Sequence, residues 1–197
     1  MLNLEQGKKL IKLARESITA SFSRRTVKVN AALKIEFGEE RGVFVTLSKG
    51  GSLRGCIGYP EPVMPLYDAV ISAAKSAAYS DPRFPPLEKD EVDEVAVEVS
   101  VLTFPRMIEV RNPEDYFNKI KVGRDGLIVK GVYQSGLLLP QVAVEYKWDA
   151  KTFLEQTCRK ANLPSDIYYD FNQARVYSFQ SQVFSEETPN GKIVLKM

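Results

Sequence analysis

The stretch "GVFVTLSKGGSLRGCIGY", Gly42 to Tyr59, sets the frame of the fold. "GVFVTL" is β-branched and apolar, "SKGGS" supplies turn residues, and "LRGCIGY" resumes an extended pattern, so the stretch reads as a two-stranded hairpin. The second strand carries what a strand interior usually avoids: Gly55 and Gly58 flank Cys56, with Arg54 ahead of them. Glycine offers no side chain to pack, so it marks a bulge or a place where a backbone or ligand comes close.

Upstream, Leu4, Gly7, Ile11, Ala14 and Ile18 recur at three- and four-residue steps, the apolar stripe of a helix. "NAALKIEFG" reads as a second, short helix ended by Gly38. Downstream, "VMPLYDAVISAAKSAAYSD" is helix-like past Pro65, and "DPRFPPL" stops it because proline cannot continue a helix. In "EVAVEVSVLTF", Val95, Val97, Val99 and Val101 point to one face of a strand, and Ala96, Glu98, Ser100 and Leu102 to the other. "KVGRDGLIVKGVYQSGLLLP" holds two turn signals, "GRDG" and "YQSG", and reads as an antiparallel meander. "WDAKTFLEQTCRKANLP" reads as a helix capped by Asp149 and ended by Asn162 and Pro164, and "ARVYSFQSQVF" as one last strand. The order of helices and hairpins predicts an α+β fold with mixed, largely antiparallel sheets and flanking helices.

A chain of 197 residues, 44% apolar and 26% charged, has the composition of an ordinary globular protein. Lys+Arg 27 against Asp+Glu 25 leaves +2, too little to argue for a nucleic-acid or anionic-membrane partner, so neither is expected. Without a long apolar run or a secretory signal, the sequence reads as cytoplasmic. The chain contains no histidine, which removes Ser-His-Asp and Cys-His catalysis and histidine-based metal sites. Two cysteines, Cys56 and Cys158, cannot complete a four-thiolate zinc cage, and no clustered carboxylate motif argues for an all-oxygen site. The sequence therefore predicts no metal and names no cofactor.

On an unbroken strand Arg54, Cys56 and Gly58 share one face, with Leu53, Gly55 and Ile57 on the other. The guanidinium would favour the Cys56 thiolate, and Gly55 and Gly58 could expose backbone N–H groups to an anion. The competing reading makes Cys56 a small buried hydrophobe and the glycines a concession to close packing. "DPRFPPL" holds Arg83 in a stiff loop suited to clamping a carboxylate or phosphate, or else forms a rigid corner in which Asp81 caps and Arg83 pairs with a carboxylate. Arg124 and Asp125 could line a site or only make a tight turn, and Ser135 and Gln141 are polar ends of an apolar run. Cys158, spaced from Leu154 and Ala161 on a helical face, reads as core.

Taken in order from Gly42 to Pro164, "GVFVTL", "LRGCIG", "DPRFPPL", "EVSVL", "VGRDGLIV", "SGLLLPQV" and "WD…FL…C.KA.LP" resemble the AMMECR-type domain family. The resemblance implies a single domain over residues 1–197, with a larger and a smaller lobe meeting at a cleft lined by Arg54, Cys56, Arg83, Arg124 and Asp125. It supplies no activity, though members often accompany Memo-like and radical S-adenosylmethionine proteins. Two functions stay open. In the first, an enzyme or enzyme subunit holds a small anionic substrate with Arg54 and Arg83, Cys56 being nucleophile or sulfur contact and Asp125 a candidate proton acceptor. In the second, a non-catalytic adaptor docks a Memo-like or radical S-adenosylmethionine partner through the same surface.

Overall fold

The hairpin forms where its residues place it. In this computed structural model, which describes residues 1–23 and 25–196, β1 (Val43–Lys49) and β2 (Ser52–Tyr59) pair antiparallel across Gly50 and Gly51. Both glycines adopt left-handed backbone, φ 57° and 80°, which side-chain-bearing residues avoid. The register is not continuous: Ser48 pairs Leu53 but Leu47 pairs Gly55, so Arg54 is the extra residue of a β-bulge.

Ahead of the hairpin, α1 (Leu4–Phe22) starts at a capping box, with Asn3 Oδ1 accepting from the Gln6 N–H at 2.9 Å and Gln6 Oε1 from the Asn3 N–H at 3.0 Å. Its stripe is buried from Gly7 to Ile18, while Leu4 in the first turn stays exposed. The short helix α2 (Ala31–Glu36) follows Asn30, its cap. Helix α3 (Leu66–Tyr79) buries Ala69, Ala73, Ala74, Ala77 and Ala78, small side chains that let its axis lie close to the sheet. β3 (Val95–Leu102) then pairs antiparallel with β1, matching Val43 to Val101, Val45 to Val99 and Leu47 to Val97. These buried residues form the single face that α1 and α3 cover, as the valine alternation predicts.

The chain then leaves this unit. It divides into Met1–Leu102 with Gln182–Met197, and Thr103–Ser181, so the second unit is an insertion within the first. The insertion holds β4 (Arg106–Met107), α4 (Asp115–Lys119), β5 (Gly126–Lys130), β6 (Ser135–Leu138), α5 (Pro140–Glu145), α6 (Ala150–Lys160) and β7 (Arg175–Phe179). Its sheet runs β4-β7-β5-β6, and its core gathers Leu127, Val129, Phe153, Leu154, Cys158, Tyr168 and Val176. Asp149 caps α6 through the Thr152 N–H at 2.7 Å, and Asn162, at φ 57°, ends it.

Two expectations are corrected. "GRDG" is not a turn between strands, because Lys121 and Val122 follow helix α4, so the meander reduces to the β5–β6 hairpin. "ARVYSFQSQVF" is not one strand either. It divides at Gln180 into β7 and β8 (Ser181–Glu186), which serve different sheets. At that division Thr103 N–H donates to the Gln180 carbonyl and Gln180 N–H to Thr103 Oγ1, both at 2.8 Å. β8 and β9 (Ile193–Lys196) complete the order β2-β1-β3-β8-β9. An ion pair with one buried partner locks this addition: the half-buried Arg15 of α1 meets Glu186 at 2.5 Å, donates to the Val95 carbonyl at 2.6 Å, and Glu186 accepts from the Val97 N–H at 2.9 Å. Among the described residues no helix is long and apolar enough to cross a membrane.

Candidate thiol and arginine site

The bulge decides which face Cys56 takes. Continued without it, the Lys49–Ser52 register would set Cys56 against Val45 on the buried face; with it, Cys56 pairs Thr46 on the other. Thr46 Oγ1 lies 3.2 Å from Cys56 Sγ, as donor to the sulfur, and Cys56 is half-buried.

β2 is the edge of its sheet, so the outward N–H and C=O of Cys56 need partners from elsewhere. The proline-rich loop after α3 supplies them. Asp81 Oδ2 accepts the Cys56 N–H at 2.8 Å, and Arg83 Nη2 donates to the Cys56 carbonyl at 3.1 Å. Asp81 grips Arg83 through Nε at 2.9 Å and Nη2 at 2.7 Å and also accepts the Arg83 N–H at 3.1 Å. Two side chains thus stand where the next strand would. The Asp81 side chain is 2% exposed and that of Arg83 54%. Arg83 chiefly, helped by the Cys56 and Arg83 N–H groups and opposed by burial, holds the Asp81 carboxyl far below the usual range. Asp81 in turn favours the charged form of Arg83, and the Cys56 side chain adds to that.

Arg54 is directed elsewhere. Its Nε and Nη2 meet Glu91 at 3.2 and 2.8 Å, and Nη1 and Nη2 donate to the carbonyls of Pro85 and Pro86 at 2.9 and 3.4 Å. Arg54, with a backbone N–H and Lys49 assisting, holds Glu91 down to about 2. Its position at the bulge breaks the alternation that would set it beside Cys56. Gly55 answers to packing: a Cβ there would lie 2.1 Å from the Ala77 carbonyl oxygen. Gly58 pairs Phe44, whose ring would stand 2.5 Å from such a Cβ.

The remaining sequence candidates lie in the second unit. Arg124 meets the buried Asp125 at 2.7 and 2.8 Å, and Asp125 Oδ2 accepts the Lys121 N–H at 2.9 Å. Burial pushes the Asp125 carboxyl up, but Arg124 and the Lys121 N–H outweigh it and hold it low. Ser135 is an exposed residue opening β6 opposite Lys130, and Gln141 is exposed in the first turn of α5. Gly136 faces the Ala161 amide nitrogen, 2.2 Å from where its Cβ would be. Cys158 is fully buried, and burial pushes its thiol up to about 12. Among the described residues no group of three or more carboxylates and thiols is placed to hold a metal ion.

Sequence reasoning missed Thr46 and Glu91 altogether, and saw Asp81 only as a cap. Thr46 could have been found by allowing a bulge at the Arg54–Gly55 step. Glu91 carries no local signal, since its partner is 37 residues away.

The family profile described as AMMECR1 matches residues 11–184. A protein of Methanothermobacter thermautotrophicus is 53% identical over 187 residues, 94% of this chain and 97% of its own length. Protein MJ0810 of Methanocaldococcus jannaschii is 44% identical over 100% of this chain and 98% of its own. The crystal structure of the uncharacterized protein PH0010 from Pyrococcus horikoshii superposes with a TM-score of 0.89 at 46% identity, covering 99% of this chain and 98% of that one. With the motif order, the α+β architecture and these likenesses in agreement, the chain belongs to the AMMECR1 family.

Proposed function

We propose that this protein is an enzyme or enzyme subunit that binds a small anionic ligand beside Cys56, with Arg83 as the anion contact and the Cys56 sulfur as the reactive group. One observation carries the reading. A half-exposed guanidinium, fixed by a buried carboxylate, donates to the backbone carbonyl of Cys56, whose half-buried thiol receives a hydroxyl hydrogen bond from Thr46. Arg83 keeps Nη1 without an acceptor among the described residues, so a donor remains for a ligand oxygen. In this reading Arg54 holds the loop that carries Arg83 and does not itself bind the anion. Two free thiols suit a reducing compartment, in line with a cytoplasmic location.

Iodoacetamide labelling of the folded protein, read by mass spectrometry, tests this. Cys56 should label at least tenfold faster than Cys158, whose burial both shields the thiol and disfavours its thiolate. Arg83→Ala should slow Cys56, and inorganic phosphate or oxalate should protect it. Equal, negligible labelling of both thiols would return Cys56 to a packing role and leave the surface to a docking partner.

A further inference from the structure

We infer that Asp81 is a positioning residue for the thiol site, acting through Arg83 to set the reactivity of Cys56; this rests on the thiol-site reading above. Its carboxylate receives four N–H groups: the Cys56 amide, the Arg83 amide, and Nε and Nη2 of Arg83. It therefore binds both the strand bearing the thiol and the cation beside it. Arginine is a long side chain with several free torsions, and more than half of Arg83 is exposed, so its place at Cys56 depends on that grip. The same grip selects what the site can hold. With Nε and Nη2 occupied, Arg83 offers Nη1 alone, so a ligand meets one nitrogen and not the two-pronged edge that seizes a carboxylate or phosphate in parallel.

Charge alone makes the opposite forecast. Asp81 is an anion close to Cys56, and removing an anion favours a thiolate. If Asp81 acts by position, its removal releases Arg83 and disfavours the thiolate. The charged groups on the adjoining strands are themselves paired. Glu98 lies beyond Thr46 in the same cross-strand row and is paired with Lys196 at 2.6 Å. Arg54 on the thiol's own strand is paired with Glu91, which also meets Lys49 at 3.1 Å.

The test is the pH dependence of Cys56 alkylation by iodoacetamide, with a thermal melt of each variant. Asp81→Asn should slow labelling at neutral pH about three- to tenfold and move the profile to higher pH. Asp81→Glu keeps the charge but displaces the carboxylate by one methylene, so it should move the profile in the same direction by less. Adding Arg83→Ala to Asp81→Asn should change little further, because both act through one contact. Should Asp81→Asn fail to fold, Asp81→Glu decides: no shift means that charge, not position, is what Asp81 supplies. A shift to lower pH, or an unchanged profile in a folded Asp81→Asn protein whose parent shows fast, Arg83-dependent labelling, overturns this inference alone. A parent in which Cys56 is no faster than Cys158 overturns the thiol-site reading itself.

Discussion

Both units use the same two devices. In the first, Gly55 of β2 admits the Ala77 carbonyl near the end of α3, and in the second Gly136 of β6 admits the Ala161 amide at the end of α6. Each also clamps a buried aspartate with a half-exposed arginine: Asp81 with Arg83, and Asp125 with Arg124. What differs is where the devices meet. Gly55 and the Asp81 contact are adjacent residues of one strand, so the helix end, the loop and Cys56 converge. In the second unit Asp125 precedes β5 while Gly136 pairs Val129 further along it, and the arginine serves a turn. A similar pair of interactions becomes a candidate site only where it falls on an edge strand beside a thiol.

The glycines are the most sensitive way to break this likeness. Gly55→Ala and Gly136→Ala should each cost about 3 kcal/mol or more in denaturant unfolding, because the new methyl meets backbone that cannot step aside. A loss below about 1 kcal/mol at either would mean that the helix end can yield there. Next, Asp81→Ala and Asp125→Ala should each cost about 2 kcal/mol, since the first orphans the Cys56 and Arg83 N–H groups and the second the Lys121 N–H. Iodoacetamide labelling of Cys56 then sharpens the contrast: it should fall with the first substitution and hold with the second. The smallest effect is acid sensitivity. Glu91 sits at about 2 against an ordinary 4.5, so its contribution is present above pH 4.5 and is lost as pH falls toward 2. Exposure and salt reduce that contribution to about 1 kcal/mol. Glu91→Gln should flatten the acid limb of a stability-versus-pH curve over that window, and an unchanged limb would remove the Arg54–Glu91 pair from the account.

Much of this fold was legible because it is periodic. The α1 stripe, the valine face of β3, the Asp149 cap and the buried Cys158 all follow from spacing within one element. The losses occur where spacing is interrupted or contacts are distant. Helices α4 and α5 are too short to display a face, and nothing within "ARVYSFQSQVF" says that Gln180 hands the chain from one sheet to another. The glycines of β2 raised a bulge as one reading, but nothing in the spacing placed it at Arg54, and that is the most consequential loss. An unbroken register would turn Cys56 toward Val45, and strict alternation would set Arg54 beside it. The candidate residues Cys56 and Arg83 were identifiable from composition and loop stiffness; their true intermediary, Asp81, was not, because its decisive contact spans 25 residues.

The insertion of Thr103–Ser181 has a consequence for how the molecule comes to exist. Strands β1 and β2 can pair locally as soon as they are made, and β3 can join β1 once helix α3 is behind it, but the sheet they begin is completed by β8 and β9, which follow the whole second unit. Until then β3 presents an unpaired edge, a template for association with another chain. Closing the gap between Leu102 and Gln182 carries the least entropic penalty if the insertion has already folded, with its ends tied by Thr103 and Gln180. Order of synthesis and order of assembly therefore coincide for the second unit and diverge for the first, in which β3 waits for β8 until the whole insertion has been made.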